Sequence, residues 1–300
     1  MSDPIEEQKT AGRKRLPAWL RNGRSREESS REIARLMGRL RLRTVCRSAA
    51  CPNQRECWNS GTATFLILGP VCTRKCGFCN IGNGTPSPPE NDEPARVADA
   101  VGQMRLSYAV ITSVTRDDLP DGGAGAFAAT IRAIRDRTPE CRVEVLVPDF
   151  RGSASALELV LEARPDVLNH NIETVPSLYA SVRPQAVYQR SLELIRRAKE
   201  RGFTTKSGLM LGLGERHEEV LGAMRDLREA GCDILTLGQY LQPNRNALRV
   251  ESYYPPEAFE RLGQEGDALG FLRTLAGPLV RSSYHAERTS GPRSGGTAAS

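Results

Sequence analysis

From Thr62 onward, short β-branched runs alternate with amphipathic stretches, and this alternation restricts the possible folds more than any other feature of the chain. Strands are predicted at 64–68, 109–114, 142–147, 167–172, 204–211 and 234–237, where Val, Ile, Leu and Thr are concentrated. Between them, apolar residues recur three or four positions apart at 95–104, 124–136, 155–163, 191–200 and 218–230, the spacing of a helix with one buried face. Repeated βα units of this kind specify an α/β protein with a parallel sheet. A complete eight-unit barrel takes ~250 residues, and only about 180 separate Thr62 from Leu241, so an open six-unit partial barrel is predicted.

Two extensions flank that barrel. Residues 1–61 form a basic arm followed by a cysteine-bearing segment, and residues 62–241 are the barrel itself. In residues 242–300, Pro243, Pro255 and Pro256 break the pattern before one more helix at 257–269 and a short strand near Phe271. A tail rich in Ser, Gly, Thr and Ala from Arg288 onward is expected to be disordered. No window approaches the roughly 18 apolar residues of a membrane span, and Asp3, Glu6, Glu7, Glu27 and Glu28 interrupt any apolar signal core. A cytoplasmic protein with no membrane association is therefore expected.

The net charge of +6 is concentrated at the start, where residues 1–50 hold 13 Lys and Arg against 6 Asp and Glu. Trp19 is the one aromatic residue there, so base stacking has little to work with and nucleic acid is a poor candidate partner. The arm reads as a solvated tail or as a surface for an acidic partner.

Eight cysteines in a chain without an export signal point to metal or catalysis, because a cytosolic redox poise disfavours structural disulfides. Cys46, Cys51 and Cys57 are spaced CxxxxCxxxxxC, and Cys72, Cys76 and Cys79 are spaced CxxxCxxC. Cys141 and Cys232 stand alone beside apolar runs and are expected to be core thiols. Structural zinc wants four protein ligands, which neither trio supplies. Three cysteines in a tight loop can instead hold three irons of a 4Fe-4S cube and leave the fourth open to a chelating amine and carboxylate.

The trio at 72–79 follows the first strand, and ligands of parallel βα folds collect at the carboxyl ends of strands. The same rim carries Thr112 and Ser113, the loop 117–123, Asn169, His170, Asn171 and Glu173, residues 212–215, and Gln239. Lone His217 reads as a surface helix residue.

The stretch Cys72-Thr73-Arg74-Lys75-Cys76-Gly77-Phe78-Cys79 resembles the cluster loop of radical S-adenosylmethionine enzymes. With the upstream Cys46, Cys51 and Cys57, and Arg281-Ser282-Ser283-Tyr284 near the end, the resemblance narrows to the lipoyl synthase family and spans about Val45 to His285. Stretches 112–119, 169–174 and 207–215 are similar to that family as well.

This resemblance implies a partial barrel of the radical S-adenosylmethionine type and two 4Fe-4S clusters. Cys72, Cys76 and Cys79 would hold the first, where S-adenosylmethionine is cleaved to methionine and a 5′-deoxyadenosyl radical able to attack an unactivated methylene. Cys46, Cys51 and Cys57, with Ser283 or else Ser282, would hold a second cluster that is consumed as the sulfur source. Thr112 and Ser113, Glu173 and Arg183 are the expected contacts for the amino group, ribose and carboxylate of S-adenosylmethionine. The substrate implied is an octanoyl group on a lysine of a lipoyl carrier, either a lipoyl domain of a 2-oxoacid dehydrogenase or the H protein of glycine cleavage. An electron donor such as ferredoxin or flavodoxin is implied too, and Arg13, Lys14, Arg15 and Arg21 would steer the acidic carrier. The competing readings are another sulfur-inserting radical enzyme, resembling biotin synthase or a tRNA methylthiotransferase, and a zinc-dependent nucleic-acid-binding protein.

Overall fold

The computed structural model describes residues 16–20, 28–48, 51, 53–59, 62–284 and 286–289. After α1 (Glu28–Arg39) come β1 (Arg43–Thr44) and the short helices α2 (Val45–Ser48) and α3 (Gln54–Asn59). The barrel begins with β2 (Thr62–Ile67), the two-residue strands β3 (Val71–Cys72) and β4 (Gly82–Asn83), and α4 (Glu93–Gln103). It continues through β5 (Tyr108–Ser113), α5 (Ala124–Arg137), β6 (Arg142–Leu146), α6 (Ala154–Glu162) and β7 (Val167–Asn169). Then follow α7 (Tyr179–Val182), α8 (Tyr188–Glu200), β8 (Thr205–Leu211), α9 (His217–Glu229) and β9 (Ile234–Gln239). The chain closes with α10 (Pro256–Ala268), β10 (Arg273–Gly277) and α11 (Ala286–Thr289).

One sheet runs in the order β1-β2-β5-β6-β7-β8-β9-β10, with β1 antiparallel to β2 and every other neighbour parallel. Its six central strands are the six predicted from sequence. The edges extend further: β10 adds a parallel strand on β9 and begins two residues beyond Phe271, and β1 lines the other edge. The expected disordered tail needs correction at its start, because Arg288 and Thr289 complete the turn of α11; residues from 290 on lie outside the described residues.

The fourth barrel strand, β7, is shorter than predicted. Beyond Asn169 the Ser207 hydroxyl donates to the His170 carbonyl at 2.8 Å and accepts from the Ile172 amide at 3.3 Å, replacing regular ladder bonds. The chain rejoins the sheet at a single bridge between Glu173 and Leu209, with Glu173 at φ +66°. That left-handed conformation is uncommon for a residue with a side chain and is typical of sites where geometry is fixed from outside.

Alternation along each strand divides the sheet into two environments. Ala63, Phe65, Ile67, Ala109, Ile111, Val143 and Val145 pack outward into an apolar layer with α4, α5 and α6. Leu209, Leu211, Leu235 and Leu237 do the same with α8, α9 and α10. The alternate positions, Thr62, Thr64, Tyr108, Glu144, Asn169, Lys206 and Thr236, are buried and polar. Glu144 and Lys206 form an ion pair with both side chains fully buried, Nζ lying 3.1 Å from each carboxylate oxygen.

The C-terminal segment runs against this polar face. A Cβ on Gly238 would overlap the Val280 carbonyl oxygen, so only glycine admits the segment there. Past the turn at 282–284, Ala286 packs on Tyr108 and Val110, and Glu287 accepts a 2.8 Å hydrogen bond from Thr62.

Gly238→Ala is therefore expected to lower stability by about 1–3 kcal/mol as the segment is displaced. Gly222→Ala in α9, where a Cβ meets nothing within 4 Å, should be neutral or stabilising. Thermal denaturation of the two variants beside the parent checks this; equal midpoints would show that residues 278–281 do not depend on the glycine.

Candidate functional site

The CxxxCxxC loop leaves the carboxyl end of β2 by way of β3 and is fastened to three neighbours. The Thr73 amide donates to the Thr115 carbonyl at 3.0 Å, Gly77 donates to Val182 at 2.9 Å, and Leu248 donates to Gly77 at 2.8 Å. Amides also reach the sulfurs: Arg74 and Thr115 donate to Cys72 Sγ at 3.4 and 3.3 Å, and Ile81 to Cys79 Sγ at 3.4 Å. Hydrogen bonds to a ligating sulfur orient it and tune the metal it binds.

The three sulfurs share one environment. Burial pushes the Cys76 thiol up to about 11, with Arg183 opposing and Cys79, Cys72 and Glu173 adding. Cys79, though open to solvent on one side, is also raised by the protein packed around it, then by Cys72 and Glu173. A bound iron would offset this by supplying the positive charge that lets a cysteine ligate as thiolate. Among the described residues no three Cys, His, Asp or Glu side chains form a grouping that could hold one metal ion. The loop instead suits a cube, where each cysteine takes its own iron.

Arg74, within the motif, is 6% exposed. Its guanidinium binds Asp117 through Nε at 2.7 Å and Nη2 at 2.8 Å, and Asp149 through Nη2 at 2.7 Å. Burial alone would raise Asp149, but the Arg74 guanidinium and the Arg151 amide hold its carboxyl at about 2. Sequence reasoning missed this clamp. Its signal was an arginine between cluster cysteines, with Asp117 and Asp149 after the next two strands.

Five polar atoms on the rim are buried without a partner among the described residues: Ser113 Oγ, Asn169 Oδ1, Asn171 Oδ1, Thr174 Oγ1 and Arg183 Nε. Buried polar atoms are nearly always bonded, so this concentration fits a polar ligand. Glu173 is coupled electrostatically to Cys76, Cys79 and Arg183; burial raises its carboxyl, while Arg183 and the Asn171 amide at 3.2 Å oppose the shift. Arg183 Nη1 donates to the Asn171 and Ile172 carbonyls at 2.9 and 3.0 Å, which aims its Nε elsewhere. Thr112 differs from its neighbour Ser113, because its hydroxyl is spent on the Leu146 carbonyl at 2.8 Å.

Other rim residues fasten the scaffold. His170 lies between the Val147 carbonyl at 2.8 Å and the Ser191 hydroxyl at 2.9 Å, and burial with Arg183 nearby pushes it down to about 4. Glu215 accepts from the Gly212 and Leu213 amides, and Gln239 bonds the Leu211 and Ser252 carbonyls. His217 is a surface residue 3.4 Å from Glu265, and Cys141 and Cys232 are buried in the core.

The upstream trio forms a second locus. Cys46 lies in α2 and Cys57 in α3, and the Cys51 amide between them donates to the Cys46 carbonyl at 3.0 Å. Burial raises the thiols of Cys46 and Cys51, the Cys51 charge raises Cys46 further, and Arg281 opposes the shift on Cys51. The C-terminal motif lies against this trio: Asn53 Nδ2 donates to the Leu279 carbonyl at 2.6 Å, and the Tyr284 hydroxyl donates to Glu56 at 3.0 Å. Ser282 and Ser283 form the half-buried turn between Arg281 and Tyr284. The fold thus gathers residues more than 220 positions apart in the chain, while Arg13, Lys14, Arg15 and Arg21 lie outside the described residues.

Residues 66–240 match the model of the Radical SAM superfamily. The chain is 57% identical over 287 residues, 95% of its length and 89% of the relative's, to a lipoyl synthase from Rubrobacter xylanophilus. It is 56% identical over 272 residues, 91% and 94% of the two lengths, to a lipoyl synthase from Oleidesulfovibrio alaskensis. Among solved structures, methylornithine synthase superposes with a TM-score of 0.52 at 14% identity, covering 77% of this chain and 72% of that one. HydG, a maturase of the FeFe-hydrogenase, gives 0.54 at 14% identity over 88% and 71%. At these identities the structural likenesses speak to the fold alone. Among the described residues no helix is long and apolar enough to cross a membrane.

The Arg74 clamp has a pH signature. Because the folded-state carboxyl of Asp149 is held below its ordinary 3.8, its contribution is full at neutral pH and is lost as pH falls from about 4 to about 2. Asp149→Asn should be about 2 kcal/mol less stable than the parent at pH 7, with the gap closing over that window. Urea unfolding of both proteins across the range measures it, and a gap independent of pH would contradict the clamp.

Proposed function

The chain belongs to the lipoyl synthase family of the Radical SAM superfamily, and from that premise we propose that it inserts sulfur at C6 and C8 of a protein-bound octanoyl-lysine, as a sulfurtransferase with two separately held clusters. Cys72, Cys76 and Cys79 hold the cluster that binds S-adenosylmethionine; Cys46, Cys51 and Cys57 with Ser283 hold an auxiliary cluster. When bound, these groups supply the one-electron cleavage of S-adenosylmethionine and the sulfur that enters the product. The observation that carries the reading is the attachment of residues 279–284 to the segment that carries the upstream trio, through Asn53 to Leu279 and Tyr284 to Glu56. A chain needing one cluster has no use for that second locus, which favours this reading over zinc-bound alternatives.

The chain's own residues divide the remaining work. Glu173 and Arg183, whose charges are felt at Cys76, orient S-adenosylmethionine together with Ser113 and Asn171, whose Oγ and Oδ1 are buried without a partner among the described residues. Thr112, whose hydroxyl is engaged, shapes the strand end next to them. Arg74 keeps the cluster loop in one conformation, because leaving that position would take its charge and hydrogen bonds from two carboxylates, one of them fully buried. A serine oxygen is a harder ligand to iron than thiolate and releases it more readily, which suits a site that gives up sulfur.

The partners that follow are octanoylated carriers, the lipoyl domains of 2-oxoacid dehydrogenases and the glycine-cleavage H protein. Ferredoxin or flavodoxin serves as reductant in the cytoplasm. The basic arm steers acidic carriers on encounter.

Replacing Cys72, Cys76 and Cys79 with alanine should remove about half of roughly eight irons per chain and abolish 5′-deoxyadenosine formation. Replacing Cys46, Cys51 and Cys57 should also halve the iron, yet leave 5′-deoxyadenosine formation in place while sulfur insertion disappears. Iron analysis and chromatography of the nucleoside product after anaerobic reconstitution decide it. Continued cleavage by the first variant would overturn the assignment.

A further inference from the structure

The polar inner face of the barrel holds one carboxylate surrounded by donors. Glu144 Oε2 accepts from the Tyr108 hydroxyl at 2.8 Å and from Lys206 Nζ at 3.1 Å, and Glu144 Oε1 accepts from Asn169 Nδ2 at 2.8 Å. Lys206 Nζ lies 3.1 Å from Oε1 as well, so both oxygens face the ammonium. All four residues are at most 1% exposed. An ionised carboxylate can only accept, and this one meets three donors.

That saturation has a consequence for Asn169. Its side-chain amide can turn only one end towards Glu144, and an acceptor there demands the NH2 end. The oxygen is forced to the opposite side, where Asn169 Oδ1 is buried and meets no donor among the described residues. Two residues further on the device repeats: Asn171 Nδ2 donates to Glu173 at 3.2 Å, leaving Asn171 Oδ1 buried and unpartnered. Gly208 on the adjacent strand keeps space open beside that atom, because a Cβ there would come within 3.2 Å of Asn171 Oδ1.

We propose that Glu144, held by Lys206 and Tyr108, is a positioning residue that fixes the Asn169 amide so that its Oδ1 accepts a hydrogen bond from an N–H or O–H of the ligand in the barrel. The inference rests on the lipoyl synthase reading for the identity of that ligand. Two ligands there carry such donors: S-adenosylmethionine, through its ribose hydroxyls and amino groups, and the octanoyl-lysine substrate, through its amide N–H. Nothing in the Glu144, Lys206 and Tyr108 group touches a ligand itself. Its function is to remove the amide's freedom to flip, so that an acceptor is in place before the ligand arrives.

The test uses the full-length chain with reconstituted clusters in three forms: parent, Asn169→Ala and Glu144→Gln. S-adenosylmethionine affinity is read from the change that the ligand produces in the electron paramagnetic resonance spectrum of the reduced cluster, and KM is measured for an octanoyl-lysyl peptide. Asn169→Ala should weaken one of the two by on the order of tenfold, the scale of a buried hydrogen bond lost with its acceptor. A loss confined to the spectroscopic titration assigns the donor to S-adenosylmethionine; a loss confined to KM assigns it to the substrate.

Glu144→Gln offers the Asn169 amide both a donor and an acceptor, so it should weaken the same ligand in part, although residue 144 does not contact it. Should Glu144→Gln fail to fold around the unpaired Lys206 ammonium, the double variant E144Q/K206M removes the charge from both partners and takes its place. If Asn169→Ala leaves both ligands at parental strength, the inference is wrong. It is wrong too if Asn169→Ala weakens a ligand while the residue 144 variants do not. Parent protein that makes no 5′-deoxyadenosine and inserts no sulfur would instead refute the functional reading beneath it.

Discussion

A parallel sheet covered on both faces cannot turn a polar side chain inward without giving that group a partner, because an unpaired polar atom in a dry interior is strongly unfavourable. Here the outer face follows the usual apolar rule, but the inner face carries Thr62, Tyr108, Glu144, Asn169 and Lys206. The arrangement of the barrel interior follows from satisfying them. Lys206 and Tyr108 converge on Glu144, Thr62 takes Glu287 from the C-terminal segment, and Gly238 gives that segment room to pass. Near the carboxyl ends of the strands, atoms of Ser113, Asn169, Asn171, Thr174 and Arg183 stay buried without a partner among the described residues. An interior that needs polar partners thus leaves acceptors and donors over at the end of the barrel where the proposed ligand site lies.

The same principle governs the cluster loop. Arg74 is buried within a loop that follows β2, and its charge is tolerable because Asp117 and Asp149 approach from the ends of β5 and β6. Arg190 adds a further contact to Asp149 from α8 at 3.3 Å. Loops from three strands are thus joined by electrostatics as well as by apolar packing, with Phe78 and Leu248 in one apolar cluster on one side and Phe150 in the outer core on the other. The upstream trio uses a different device: short helices tied to a C-terminal turn by single hydrogen bonds from Asn53 and Tyr284.

Much of this could be read from sequence, and the exceptions have physical causes. The six barrel strands and their helices were legible because each buries a periodic apolar face, and the two cysteine trios stand out as candidates because their spacing is local. Strand β7 was drawn too long since Leu168 to Ile172 looks β-like, whereas the Ser207 hydroxyl, 35 residues from Ile172, ends the ladder. Strand β10 falls in a stretch whose residues are only partly buried, so its apolar signal is weak. The Arg74 clamp and the Glu144 network join residues 43 to 75 and 25 to 62 positions apart, and no short-range pattern marks such partners. Thr112 and Ser113 looked equivalent in sequence; alternation along the strand gives one hydroxyl a backbone partner and leaves the other open.

At the centre of the account is the claim that two cysteine loops, held apart by one fold, carry different duties and that the upstream one supplies sulfur. The most direct measurement reconstitutes the full chain with heavy-isotope sulfide, removes unbound sulfide, and determines the mass of an octanoyl-lysyl carrier peptide after a single turnover with S-adenosylmethionine and reductant. Two heavy sulfur atoms per lipoyl product are predicted. Product sulfur of natural isotopic mass, or heavy sulfur undiminished when Cys46, Cys51 and Cys57 are replaced, would contradict it.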